Sequence, residues 1–378
     1  MRLRFGILLL LLPLIAVAQN PLVIKNVTLV DGSGGPPTLD ATVLVVNGRI
    51  ALIGEGGTLQ ITDGYPIVDG TGKTLVPGII NLHGHVGLTK GLVQAQENYS
   101  RANVIDNLRT YASYGVTTTT SLGTDMEPVI AVRDDIDQGN LPGLARVRPA
   151  LYGFTTPDGY PTKAPGVKGL ALEVSNAAEA RRQVDRLADS GAELVKMWVD
   201  SHHGAFLKLS PHVSGAIIRQ AHQRGLLAVA HLYELSDAKV LVDAGLDVIV
   251  HSVRDTDVDR GLIRRLLARG VTYCPTLTRE QSTYVYADSP KWLDDPFFTR
   301  GVDEGLVQEL RTTLRDTQRN DPELEINREN FRMAMRNLKT LSDAGVKIGF
   351  GTDTGPPARF AGYFEHWEAE LMVEAGLT

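Results

Sequence analysis

Residues 223–252 read QRGLLAVAHLYELSDAKVLVDAGLDVIVHS. A polar helical segment ends at Gly225, and an apolar β run follows at once. The pattern then repeats: a second helical segment stops at Gly245, and LDVIVHS is the next β run. Glycine takes the left-handed conformation that closes a helix with no Cβ penalty, so each of these glycines marks a helix end. Strands that alternate with helices argue for a parallel sheet, since parallel neighbours need a crossover between them.

The same unit recurs on both sides. SYGVTTTTSL (113–122), DSGAELVKMWV (189–199), ARGVTYCPTL (268–277) and DAGVKIGFGTD (343–353) each carry the glycine, at 115, 191, 270 and 345. VPGIINLH (76–83) and ARVRPALYGF (145–154) complete a set of eight strands. Eight such units predict an α/β chain folded as a (β/α)8 TIM-type barrel over residues 77–378. An open doubly wound sheet is the alternative. No GxGxxG motif favours it, and the candidate site residues span strands one to eight, which an open sheet would keep apart. Two segments fall outside the repeat. Residues 154–176, with Pro157, Pro161 and Pro165, read as a long loop. Residues 279–337 read as an insertion between strands seven and eight, with Tyr284, Tyr286, Trp292, Phe297 and Phe298 ahead of a charged helical stretch. Long loops after barrel strands commonly build the substrate side of a site.

Residues 19–76 differ in texture. VIKNVTLVDG, ATVLVVNGRIALIGEG and YPIVDGTGKTLVPG are short β runs divided by Gly, Asp and Asn turns, and they read as a small β-domain made of hairpins. Ahead of them, residues 1–18 have a signal-peptide pattern: Arg2 and Arg4, an apolar run from Phe5 to Val17, and Ala16-Val17-Ala18 as a small-residue cleavage site. The apolar run is shorter than the roughly 20 residues that span a bilayer. The expectation is an exported chain, periplasmic or extracellular, with no membrane association after cleavage. Cys274 is the only cysteine, so an intrachain disulfide is excluded, and its place in VTYCPTL reads as a packing position. The 378 residues are 43% hydrophobic with a net charge of -6, which leaves no basic footprint for nucleic acid.

Six residues of metal-ligand type lie at or near the ends of these β runs. His83 and His85 close IINLHGH, Lys196 lies in ELVKMW, His231 ends LLAVAH, His251 ends DVIVH and Asp353 ends KIGFGTD. His83 and His85 are two apart on a strand, so both side chains leave on one face. Two converging imidazoles suit Zn²⁺ or a similar borderline metal. Alone, H-x-H is weak, and either of His231 and His251 alone reads as well as a core histidine. Lys196 in an apolar strand is costly unless neutralised. One reading has its head reach the rim. The other has it form a carbamate with CO₂, a reaction that needs the neutral amine that burial favours. Asp353 at the last strand end could bind metal and take a proton from a water. His202 and His203 read as loop residues, and His212, His222 and His366 as surface residues.

The order H-x-H, Lys, His, His, Asp on strands one, four, five, six and eight resembles the amidohydrolase superfamily, in its two-metal, carbamylated-lysine subtype. The matching text is LVPGIINLHGHVG, LVKMWVD, LAVAHLYE, DVIVHS and GFGTDTG. The resemblance runs from about residue 21 onward and implies that residues 19–76 form the first half of a small β-sandwich. It implies that His83, His85 and Asp353 hold one divalent ion, zinc by default, that His231 and His251 hold a second, and that a CO₂-derived carbamate on Lys196 bridges them. A hydroxide between the ions would attack a carbonyl while Asp353 moves the proton to the leaving group. AHLYELSDA, DVIVHSVRD and YCPTLTRE resemble imidazolonepropionase-like and secreted dipeptidase-like members, which implies hydrolysis of a C–N bond in a dipeptide or N-acyl amino acid. Tyr233 and Arg254 are then candidates for substrate contact, with ordinary rim polarity as the other reading. Lactone or carbamate hydrolysis on the same centre is a narrower alternative. Members of the superfamily generally continue beyond the equivalent of Thr378, so a C-terminally truncated chain is expected, with a non-catalytic metal- or ligand-binding barrel as the competing function. Whether the chain forms a homo-oligomer is open.

Overall fold

The computed structural model describes residues 20–378. The expected signal peptide at 1–18 lies outside the described residues. The chain divides into two units between Pro77 and Gly78.

The first unit is one mixed five-stranded sheet. β1 (Pro21–Leu29), β2 (Thr38–Val46) and β3 (Arg49–Glu55) form an antiparallel meander, and β4 (Ile67–Asp69) and β5 (Thr74–Leu75) both add parallel to β1. The β2–β3 turn is Asn47-Gly48, both with positive φ. That pairing has the twist of a tight hairpin. Val23, Val27, Ala41 and Val43 are buried, while Ile50, Leu52, Ile53, Ile67 and Val68 are exposed. Among the described residues the unit is a single sheet, and the apolar side chains that a facing sheet would cover stand open.

The second unit begins at β6 (Ile79–Gly84), followed by the small hairpin β7 (Thr89–Lys90) and β8 (Val93–Gln94). Further strands are β9 (Val116–Ser121), β10 (Arg146–Pro149), β11 (Phe154–Thr155), β12 (Leu172–Glu173), β13 (Leu194–Val199), β14 (Leu227–Leu232), β15 (Val248–Val250) and β16 (Thr272–Cys274). They make two parallel sheets, β10-β9-β6 and β12-β11-β13-β14-β15-β16. The helices between them are α1 (Arg101–Ser113), α2 (Pro128–Asp137), α3 (Ala177–Asp189), α4 (Pro211–Gln223), α5 (Leu235–Ala244) and α6 (Arg260–Arg269). Ser100, Asn176, Ser210 and Asp259 cap α1, α3, α4 and α6 by accepting from first-turn backbone N–H groups. The six glycines expected to end helices, at 115, 191, 225, 245, 270 and 345, all have φ between 65° and 104°.

The eighth β run is not a regular strand. Residues 347–354 nevertheless bond on both sides. Tyr273 N donates to Lys347 O at 2.8 Å and Gly349 N to Tyr273 O at 2.8 Å. On the other side Leu82 N donates to Phe350 O at 2.9 Å and Asp353 N to His83 O at 2.7 Å. Gly349 and Gly351 make the approach feasible. A Cβ at Gly351 would lie 2.6 Å from Cys274 Sγ and 3.0 Å from His83 N.

The insertion contains α7 (Leu277–Ser282), α8 (Pro296–Thr299), α9 (Glu304–Glu309), α10 (Arg315–Arg319) and α11 (Leu324–Asp343), and α12 (Tyr363–Glu374) follows the eighth run. Its aromatics do not face a substrate cavity. Tyr286, Trp292 and Phe298 pack with Tyr363 and Phe364 of α12 as a second core, with Trp292 and Phe298 ring centres 4.9 Å apart. His366, read from sequence as a surface residue, is part-buried and bonds Tyr114 O at 2.8 Å. Among the described residues no helix is long and apolar enough to cross a membrane.

Candidate metal centre

The parallel strands bring all six strand-end residues into one buried cluster. His83 lies in β6, Lys196 in β13 and His231 in β14, while His251 directly follows β15 and Asp353 ends the eighth run. His251 and Asp353 have φ of 72° and 60°. Left-handed backbone is uncommon for residues other than glycine and tends to mark functional sites.

Asp353 is the hub. Its Oδ1 lies 2.9 Å from His85 Nε2 and 3.2 Å from His83 Nε2, and its Oδ2 accepts from Arg359 Nη1. Lys196 Nζ is 3.5 Å from His83 Nε2. The His251 ring sits 4.7 Å from that of His83 and 4.5 Å from that of His231. One nitrogen or oxygen each from His83, His251 and Asp353 lies within 4.8 Å of the others, a spacing that one ion could bridge.

Each outer histidine is oriented by a partner on its far side. His85 Nδ1 pairs with Thr124 Oγ1 at 2.9 Å, His251 Nδ1 with Thr276 Oγ1 at 2.7 Å, and His231 Nε2 with Asp200 Oδ2 at 2.8 Å. Such partners fix ring orientation and leave the other nitrogen free to coordinate. His83 Nδ1 is buried without a hydrogen-bond partner. Imidazole nitrogens plus one carboxylate are the donor set that borderline divalent metals take. The donors of His83, His251 and Asp353 therefore fit one divalent ion.

The electrostatics favour neutral ligands. Burial pushes His83 and His251 well below the usual histidine range and His231 down to about 3. Burial also pushes Lys196 down to about 7, against the opposing pull of Asp353. Burial acts to raise Asp353, but Arg359, His83 and His85 overcome it and hold the carboxyl well below the usual range. A buried lysine whose hydrogen-bond neighbour is an imidazole has no carboxylate at contact distance to keep it charged.

The six residues border a cavity of about 260 Å³, closed further by Trp198, Tyr160, Arg279 and Arg359. Tyr233 and Arg254 are not among its lining residues. Arg254 is buried and engaged elsewhere: Nε pairs with Glu280 Oε2 at 2.9 Å, and Nη1 donates to Leu232 O and Ser252 O. Tyr233 stacks on that guanidinium and donates to Asn330 Oδ1 at 3.1 Å. Arg254 does not border the cavity, and its Nε and Nη1 are engaged by Glu280 and by backbone carbonyls. His202 and His203 lie in the loop after β13, their rings on Tyr160 and Tyr233. Sequence reasoning missed Asp200, Thr276, Arg279 and Arg359. Asp200 had a signal, a carboxylate at the tip of the strand that carries Lys196. The two arginines had none, since only the tertiary fold points them inward.

The fold and this site define the class: the amidohydrolase fold, with a ligand cluster gathered where its parallel strands end. No family model matches the chain. An uncharacterised protein of Mycobacterium tuberculosis is 27% identical over 265 residues, 69% of this chain and 64% of that protein. The chain thus matches somewhat less than two thirds of that relative's length. Among solved structures, a putative prolidase from Bifidobacterium longum is 25% identical, with a TM-score of 0.71 over 95% of this chain and 79% of that one. A Xaa-Pro dipeptidase with methionine bound in its active site gives 0.72 at 19% identity, over 94% of this chain and 84% of that one. These likenesses bear out the resemblance to the amidohydrolase superfamily.

Proposed function

We propose that the chain is a metal-dependent amidohydrolase that cleaves an amide or peptide C–N bond in a small substrate, a dipeptide or an N-acyl amino acid. The observation that carries this reading is the convergence of four histidines, Lys196 and Asp353 on one cavity. The prolidase and dipeptidase likenesses support the C–N bond as the target.

In this reading the two parallel sheets and residues 347–354 make one closed (β/α)8 barrel, supported by the hydrogen bonds that the last segment makes on both flanks. His83, His85 and Asp353 would hold one divalent ion, with zinc the default, and His231 and His251 would hold another. Lys196 would contribute as a carbamate: its neutral Nζ adds to CO₂, an N–C bond forms as one C–O π bond opens, and the N–H proton passes to water, which leaves an anionic carbamate able to serve as a ligand. Burial supplies the neutral amine. Bound divalent ions supply Lewis acidity toward a carbonyl oxygen and a lowered pKa for the attacking water. Asp353 would take a proton from the attacking water on one Oδ atom and return it to the leaving nitrogen. Trp198 and Tyr160 exclude bulk water, which strengthens each charge interaction inside.

The test is hydrolysis of a panel of dipeptides and N-acyl amino acids by metal-loaded protein with bicarbonate, beside Asp353→Asn. Loss of proton transfer predicts a fall in kcat of about 10²–10⁴-fold. Equal rates for wild type and variant would refute the mechanism.

A further inference from the structure

From the walls of a second chamber, next to the catalytic cavity, we infer that the protein has a further binding site, which takes an organic ammonium ion with an apolar body. The inference goes beyond the hydrolase reading. The groups that define the ligand, Asp303 and three aromatic rings, take no part in that reading.

The chamber has a volume of about 210 Å³. His85, Pro356 and Arg359 border both it and the catalytic cavity, so the two share a wall. Part of that wall is the loop after the eighth run, and close packing fixes the loop at both ends. A Cβ at Gly355 would lie 2.2 Å from His85 O, and one at Gly362 would lie 2.3 Å from the Tyr114 ring. Both glycines have positive φ, 112° and 89°. Between them Ala358 O accepts from Tyr286 OH at 2.6 Å, and Arg359 N donates to Pro356 O at 3.1 Å. Tyr114 is held in turn, its OH donating to Phe297 O at 2.9 Å. Packed and hydrogen-bonded groups therefore give the chamber its shape, as in a preformed ligand site.

The lining sets the class of ligand. Tyr114, Leu306, Phe360 and Tyr363 supply apolar and aromatic walls. The acid in the lining is Asp303, an exposed residue and so at the mouth. Its Oδ1 caps α9, accepting from Gly305 N at 2.8 Å and Leu306 N at 3.4 Å. Among the described residues no Lys, Arg or His pairs with this carboxylate. Arg359 lies in the shared wall, where Asp353 Oδ2 meets its charge. The chamber thus runs from a compensated cation, past aromatic rings, to a carboxylate without a counter-ion. An ammonium group at Asp303 with its apolar body against the rings satisfies both ends, and aromatic rings attract cations as well as apolar groups. Hydrolysis of a C–N bond releases an amine of this class on the far side of His85. On the hydrolase reading, the chamber receives that product.

The experiment measures binding of benzylammonium, and of benzyl alcohol as its neutral analogue, to the full chain by calorimetry. Benzylammonium is expected to bind about fivefold more tightly than the alcohol, the worth of one partly exposed ion pair. Asp303→Asn keeps the α9 cap, because asparagine caps a helix as well as aspartate does. It is expected to bring the ratio of the two affinities toward one. Thr110 borders the chamber from α1, and its Oγ1 bonds Asp106 O of its own helix. Thr110→Phe fills the space and is expected to abolish binding of benzylammonium; Asp303→Asn serves if that variant does not fold. No binding of benzylammonium at millimolar concentration, equal affinity for the alcohol in wild type, or affinities unchanged in the variants would overturn the inference. The titrations need no turnover. Failure of every amide to be hydrolysed, with this binding intact, would overturn the hydrolase reading and leave the ammonium site standing.

Discussion

Asp200 shows how a single side chain outside the ligand set can tune it. It is buried and its Oδ2 meets His231 Nε2 at 2.8 Å, while its Oδ1 accepts from His202 N at 2.7 Å. Burial acts to raise its pKa, but the bonds from His231 and from the loop hold it below the carboxylate range. The carboxylate so fixed selects the His231 tautomer with its proton on Nε2 and its lone pair on Nδ1. Asp200→Asn is predicted to weaken zinc affinity by about 10–100-fold, the usual cost of losing such a partner. A competition titration with a chelating dye checks it. Unchanged affinity would mean that His231 does not coordinate. In the sequence the six strand-end residues were legible because strand ends are marked by the glycine-capped units around them. Arg254, three residues beyond His251, is buried against Glu280 and does not border the cavity, a placement that spacing along the chain does not encode.

At the scale of elements, α12 locks the site from below. Glu365 is fully buried and accepts from Asn81 Nδ2, Thr352 Oγ1 and Thr354 Oγ1 at 2.7–2.8 Å, holding β6 and the two neighbours of Asp353 together. One turn on, Glu368 pins the start of α7. Burial raises Glu368 to about 7, against the bonds from Thr278 and Leu277 that act to lower it. The folded value then lies above the unfolded one. The stability it contributes is full below about pH 4.5 and is lost as pH rises through 7, on the order of 3 kcal/mol across the window. Urea unfolding at pH 5 and pH 7 should therefore show wild type losing stability on going to pH 7 relative to Glu368→Gln. A difference between the two proteins that does not change with pH would exclude a raised Glu368. None of these clamps was legible beforehand. Glutamates in a helix read as solvent-facing, and only the packing of α12 against α7 and β6 reveals them as buried. The insertion reaches the cavity through Arg279, but its aromatics had no periodic pattern to say that Tyr363 and Phe364 would bury them.

For the molecule as a whole, the parallel α/β order was legible because six glycines end six helices at the predicted residues. What periodicity could not supply was the form of the eighth run. Residues 347–355 contain Gly349, Gly351 and Gly355, and a Cβ at the last two would run into Cys274, His83 or His85, so only glycine allows this close approach. The same approach sets Asp353 N 2.7 Å from His83 O. The small sheet of residues 21–75 was likewise visible as strands and turns. The central claim is that one divalent-metal centre is built from all six strand-end residues, with Lys196 as the bridge. Its most direct test is zinc stoichiometry on metal-stripped protein reloaded with bicarbonate present, beside Lys196→Ala. The account predicts two zinc ions per wild-type chain and a loss of occupancy in the variant or when CO₂ is withheld. Fewer than two ions in wild type, or full occupancy without Lys196, would contradict it.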